Sequence, residues 1–258
     1  MEGVEPLEQD LSSIRSLEEL SLNAWPALRT IHDDGWVLRF ADGYTRRANS
    51  VNPLYPSTEE TREKIEYCER VYFSRGQDVV FKITPAVQPA DLDSVLAAEG
   101  YAREALTSVQ TVPLDALDPP ASEAVALDEK LSRSWLERFV GLSKIDGRHV
   151  PTMTRMLEGI IPAHCFATLW HDSEAVAMGL AVLERGHVGL FDIVTAEHAR
   201  DRGFGTSLVR QLVHWGKSNG AHHAYLQVMR DNAPALHLYA KLGFWENYQY
   251  WYRVKRAG

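Results

Sequence analysis

Residues 187–219, HVGLFDIVTAEHARDRGFGTSLVRQLVHWGKSN, pass from an apolar run with strand character through a turn into an amphipathic helix. The turn is Arg200-Asp201-Arg202-Gly203-Phe204-Gly205-Thr206. Glycines let a backbone approach a ligand closely and aim successive N–H groups at one point. A helix N-terminus adds partial positive charge there. Arg200 and Arg202 add full charges and the Thr206 hydroxyl adds a donor, so the segment has the makings of a pyrophosphate trap. The spacing is not G-x-G-x-x-G, because position 208 is Leu, and no G-K-[ST] run is present. Dinucleotide and nucleoside-triphosphate readings therefore lack their residues. A bare G-x-G is also an ordinary tight turn, and a second signal has to decide.

That signal is Asn232-Ala-Pro-Ala235-Leu-His-Leu-Tyr239-Ala-Lys241-Leu-Gly243-Phe244. The pair of motifs, R-x-x-G-x-G followed by N-x-x-A-x-x-L-Y-x-K-x-G-F, resembles the GNAT N-acetyltransferase superfamily over about residues 124–258. The resemblance implies acetyl-CoA as co-substrate, with no metal. Backbone groups of Ile193, Val194 and Thr195 would take the pantetheine arm like an added strand. Asp201, Arg202, Gly203, Phe204, Gly205 and Thr206, flanked by Arg200, would hold the pyrophosphate. Asn232 would hydrogen-bond the pantetheine and Tyr239 would face the thioester sulfur. Many members carry Pro where this chain has Glu197; that position lies outside the phosphate cradle.

Acyl transfer to an amine needs a neutral nitrogen, a fixed donor for the developing oxyanion, and a proton or hydrogen bond for the leaving thiolate. Tyr239 is the expected donor to the thiolate. The base is less defined by sequence. Some members acting on protein N-termini place a glutamate five residues before the Asn motif, where this chain has Gln227, which cannot accept a proton. Asp192 is the expected substitute; Glu184 and His187 are further candidates, and a water chain or an amine of low pKa would remove the need. The aromatics Phe244, Trp245, Tyr248, Tyr250, Trp251 and Tyr252 read either as core or as an acceptor pocket. Arg46 and Arg47 read either as lining the acceptor cleft or as part of a solvated hairpin.

These residues need elements to hold them. Helices are predicted at 16–27, from a Ser57 or Thr58 cap to Arg75, and at 89–100, with strands at 35–43, 45–53, 78–83 and 101–112. After a Pro-rich break at 113–123 come helices at 124–143 and 151–160, strands near 165–171, 175–185 and 187–195, a helix at 203–219, a strand at 223–229, a helix at 233–242 and strands across 244–255. Alternating strands and helices imply an α/β layered fold, a mixed sheet of the GNAT type. LAAEGYARE (96–104) aligns with YAKLGFWEN (239–247), pairing Gly100 with Gly243, and suggests an internal duplication. The expected organisation is a degenerate GNAT-like domain at 1–115, with no R-x-x-G-x-G near residues 52–60, and an acetyl-CoA-binding catalytic domain at 122–258.

The chain has 258 residues, 45% hydrophobic and 24% charged, with a net charge of −8, which disfavours nucleic-acid and anionic-membrane partners. Its first twenty residues are acidic without an apolar core, and its two cysteines match no metal spacing. A cytoplasmic location is expected. The expected activity is acetyl transfer from acetyl-CoA to a primary amine of a small molecule. Acetylation of a protein lysine or N-terminus, and a non-catalytic acyl-CoA sensor, are the alternatives; oligomeric state is left open.

Overall fold

The computed structural model describes residues 10–117 and 125–258, so most of the Pro-rich break lies outside the described residues. Helix α1 (Leu11–Ala24) is capped by the Asp10 carboxylate, which accepts from the Ser12 N–H, and it buries Ile14, Leu17, Leu20 and Ala24 along one face. It starts earlier than the apolar spacing alone predicts, because the cap lies outside the periodic stretch. Strands β1 (Arg29–Asp33) and β2 (Trp36–Phe40) form a hairpin about Asp34-Gly35, both at positive φ. The strand predicted at 45–53 is corrected: residues 46–48 form a 3-10 turn, and only β3 (Val51–Pro53) pairs. Helix α2 (Thr61–Phe73), strand β4 (Val79–Ile83), helix α3 (Leu92–Ala98) and strand β5 (Ala102–Pro113) complete the first half. The expected cap of α2 by Ser57 or Thr58 is also corrected. The helix begins after Glu60, and both hydroxyls donate to the Asp34 carboxylate instead.

The second half opens with strand β6 (Val125–Asp128) and only then helix α4 (Arg133–Ser143), correcting the single helix predicted at 124–143. The Ser132 hydroxyl, accepting from the Trp135 N–H, sets where α4 starts. Then follow α5 (Val150–Glu158), β7 (Ala163–His171), β8 (Glu174–Glu184), β9 (His187–Thr195), α6 (Phe204–Ser218), β10 (His223–Met229), α7 (Ala233–Lys241) and a single bulged β11 (Trp245–Lys255).

The eleven strands of the described residues form one sheet in the order β1-β2-β3-β4-β11-β5-β10-β9-β8-β7-β6. Pairing is antiparallel except for β3 with β4 and β9 with β10. The order repeats from both ends toward the middle, where the two halves exchange a strand. β5 lies between β10 and β11, while β11 lies between β4 and β5. The equivalence predicted from Gly100 and Gly243 has a matching geometry: φ is +83° and +80°. The Tyr101 N–H bonds the Leu96 carbonyl as the Phe244 N–H bonds that of Tyr239. One sheet face carries α1, α4 and α5 over a core that includes Trp25, Trp135, Phe166 and Phe191. The opposite face carries α6 and α7 in one half and α2 and α3 in the other, over separate cores. No helix among the described residues is long and apolar enough to cross a membrane.

Candidate active site

β9 and β10 pair only from His187↔His223 to Leu190↔Leu226; beyond Leu190 they diverge. On its other side β9 stays paired with β8, through Val194↔Met178 and Thr195↔Ala177. One backbone edge of residues 191–195, including Ile193, Val194 and Thr195, is therefore open toward β10. A cleft of about 480 Å³ occupies the divergence. Its walls include Asp192, Ile193, Asn232 and Tyr239, so four of the residues singled out by sequence meet in one place.

β9 enters the cleft through a bulge. The register with β8 shifts between Leu180↔Phe191 and Met178↔Val194, and Asp192 takes φ +52°. That conformation is uncommon for a side-chain-bearing residue. It leaves the Asp192 side chain only 12% exposed and 3.8 Å from the Arg47 guanidinium, with Oδ2 buried and without a hydrogen-bond partner. Burial pushes its pKa up to about 6, opposed by Arg47. The same site pushes the Tyr44 phenol up to about 12, chiefly by burial and then through the charge of Asp192.

The cleft runs through the sheet. On the α6/α7 side, Tyr239 packs in the core against Phe244, and burial raises its phenol to about 12. Asn232 caps α7, its Oδ1 accepting from the Ala235 N–H, which leaves only its amide N–H groups for other partners. On the α1 side stand Arg47, Phe191, Gln227, Tyr250 and Tyr252. Gln227 is held by the Tyr250 hydroxyl, which donates to it, and donates in turn to Ser21. The C-terminal aromatics divide accordingly: Tyr248, Tyr250 and Tyr252 are buried on this face, and Trp245 is half-exposed elsewhere.

Below the far end of β9, the loop segment Arg200, Asp201, Arg202 and Gly203 is exposed and leads into α6. Gly203 precedes the helix at φ +89° with nothing within 4 Å of where a Cβ would stand, and it supplies no side-chain cap. The first amides of α6, from Phe204, Gly205 and Thr206, thus have no intrahelical partner. Gly205 serves packing: a Cβ there would lie 2.9 Å from Leu238 and 3.2 Å from the Thr195 hydroxyl. Phe204 is buried, with the Arg202 guanidinium 5.0 Å above its ring and bonded to His171. Glu197, just before this segment, pairs with Lys144 at 2.6 Å.

Two further base candidates lie away from this cleft. Glu184 and His187 lie at the opposite end of β9, where Glu184 accepts from Asn23 and His187 stacks on His223, and neither lines the cleft. In the first half, the loop before α2 is closed by the protein itself. The Asp34 carboxylate accepts from the Thr58 and Glu59 N–H groups and both neighbouring hydroxyls, which hold its pKa well below the usual carboxylate range. The missing motif is visible in the residue types there, whereas this internal anion is not, because it comes from a hairpin more than twenty residues upstream.

The chain is an acetyltransferase of the GNAT type, as its relatives show. Residues 11–253 match the family described as "Probable histone acetyltransferase Rv0428c C-terminal". The chain is 30% identical to the "Uncharacterized N-acetyltransferase YobR" of Bacillus subtilis (strain 168), over 95% of this chain and 100% of that protein. This chain belongs to that acetyltransferase family. Among solved structures it is similar to a GCN5-related N-acetyltransferase from Kribbella flavida, at a TM-score of 0.73, 16% identity and 97% coverage of each chain. It is also similar to a tandem GNAT protein from the clavulanic acid biosynthesis pathway, at a TM-score of 0.64, 13% identity, and 94% and 88% coverage. These two likenesses bear on the fold, and agree with a chain built of two GNAT-like halves.

Proposed function

We propose that this enzyme moves the acetyl group of acetyl-CoA to a primary amine of a small molecule by direct attack in the cleft between β9 and β10. The observation that carries the reading is the meeting of Asp192, Tyr239 and the open β9 edge in one cleft that crosses the sheet. The donor fits the residues present. The uncapped α6 amides, the space beside Gly203, and Arg200 and Arg202 suit a pyrophosphate, and the free edge of residues 193–195 suits the pantetheine amides. Asn232 would donate its amide N–H to the same arm. When bound, acetyl-CoA supplies the acetyl group as an activated thioester.

The protein's own groups then divide the proton chemistry across the sheet. Asp192, on the acceptor side, takes the proton that the nitrogen loses as the C–N bond forms; its raised pKa puts it nearer the working range of a general base. Tyr239, on the donor side, hydrogen-bonds the sulfur as the C–S bond breaks. With its pKa at about 12, the phenol keeps its proton and stabilises the thiolate by hydrogen bonding, without full transfer. A backbone N–H on the splayed part of β9 would donate to the oxyanion.

The test is thiol release from acetyl-CoA by the purified protein across a panel of small amines, peptides and proteins. Turnover confined to small amines supports the reading. Turnover of peptide or protein amines alone, or donor binding with no turnover, overturns it. Tyr239→Phe is expected to lower kcat by about tenfold or more, with donor affinity changed less than threefold. An unchanged kcat with chemistry rate-limiting would take Tyr239 out of the mechanism.

A further inference from the structure

We propose that the acceptor amine carries a carboxylate a few bonds from its nitrogen, and that the Arg47 guanidinium receives that carboxylate; this rests on the cleft being the acetyl-transfer site. Arg47 belongs to the first half of the chain, yet its side chain lines the cleft that opens between β9 and β10 of the second. Its position is fixed from several directions. The guanidinium lies 4.7 Å from the Trp25 ring and 6.0 Å from that of Phe191. The Arg47 carbonyl accepts from buried Arg39. Asn49 braces the turn by accepting from the Ala41 and Gly43 N–H groups and donating to the Thr45 carbonyl.

Among the described residues this held group has no hydrogen-bond partner. Its one ion pair, to Asp192, is 3.8 Å long, beyond hydrogen-bonding distance. Among the described residues the guanidinium makes no other polar contact, and its side chain is 30% exposed, on the cleft wall. Five N–H donors in a planar fork, stacked on aromatic faces, are organised for a planar anion. The phosphates of the donor are excluded as that anion. Arg47 stands with Trp25 and Phe191 on the α1 face, whereas the loop at residues 200–206 leads into α6 on the other.

The charge inventory points the same way. The neighbouring Arg46 is neutralised by Glu104, which Arg256 also contacts. That leaves Asp192 and Arg47 as the charged groups facing the acceptor, one negative and one positive, with the neutral Tyr44 beside them. When Asp192 takes the amine's proton it becomes neutral, and Arg47 would stand as an isolated cation in a half-buried apolar surround. Such a charge is costly unless paired. A substrate carboxylate pairs it, and in doing so weakens the pull of Arg47 on Asp192, making the aspartate a better base. The separation of 3.8 Å between the two groups suits an amine and a carboxylate joined through one or two carbons, as in small amino acids.

The experiment compares matched acceptors, an amino acid with its carboxamide and its decarboxylated amine, in the native enzyme, Arg47→Gln and Arg47→Lys, each checked for folding by thermal melting. The carboxylate member is expected to have the higher kcat/KM by about tenfold or more, the worth of one charge-assisted hydrogen-bonded pair. Arg47→Gln should erase most of that preference, mainly through KM, and Arg47→Lys should restore part of it. Equal rates within each pair, or an equal loss for both members in Arg47→Gln, would overturn the inference alone. Donor binding without turnover of any small amine would overturn the proposed function and this inference together.

Discussion

Asp192, the proposed base, is buried where its charge works against stability. Its carboxyl is an acid whose folded pKa, about 6, is above the ordinary 3.8. The native state therefore binds the proton more tightly than the unfolded chain. Stability contributed by the neutral form is present at low pH and declines as pH rises from about 4 through about 6. Above pH 6 the buried charge costs about 3 kcal/mol, two pKa units at 1.36 kcal/mol each. Asp192→Asn is expected to raise the melting temperature at pH 7.5 by several degrees, and by less at pH 4, in paired thermal scans. The same substitution should lower kcat/KM by 10²–10⁴-fold, about the range of general-base catalysis, and remove the rise in kcat/KM near pH 6. A variant with the native pH profile would exclude Asp192 as the base. Sequence singled out Asp192 because an acid on the strand before the loop was the available substitute for Gln227. The positive φ that turns it into the cleft is a consequence of the β8–β9 register and leaves no mark in residue types.

The loop-to-helix element at residues 200–206 was legible from its glycines, although the two do different work. Gly203 supplies a left-handed conformation with open space beyond it, and Gly205 lets α6 sit against Thr195 and Leu238. Gly203→Ala and Gly203→Glu share the backbone strain of a positive φ, so their comparison isolates bulk and charge. Calorimetry with coenzyme A is expected to show the Glu variant binding at least about tenfold more weakly than Ala, a difference of 1.4 kcal/mol or more. Equal affinities would remove this loop from donor binding. In the first half, the loop at 57–59 folds around Asp34 instead. Asp34→Ala should lower the melting temperature at neutral pH and flatten its fall toward acid, because a carboxylate with a depressed pKa stabilises only while ionised. The native protein should bind one coenzyme A per chain; two equivalent sites would contradict the closure of that loop.

At the scale of the whole molecule, the exchange of β5 and β11 makes each half depend on the other. Residues 122–258 alone would leave β10 without its neighbour β5 and β11 without either partner, exposing strand edges over Ala224, Leu226 and Val228. That fragment is expected to aggregate or to show no cooperative melt and no coenzyme A binding, whereas co-expression with residues 1–121 should recover both. A fragment that folds and binds on its own would show that β5 is dispensable. The exchange also explains why the first half, closed at its own loop, contributes to the candidate cleft. Its β5 places Ala105 and Thr107 on the wall, and its 3-10 turn at 46–48 delivers Arg47.

The amino-acid sequence by itself determined the local devices: the glycine-bearing turn into α6, the Gly100 and Gly243 helix ends, and the alternation of strand and helix. Each depends on backbone sterics and hydrogen bonds within a few residues, which residue types report directly. Tertiary structure alone decided which strands pair across the two halves, that β9 bulges at Asp192, that an arginine 145 positions upstream faces that aspartate, and that Asp34 fills the unused loop. These are contacts between distant segments, set by sheet register and by the burial of two opposed faces, and a side-chain period of two residues says which way a strand faces without naming its neighbour.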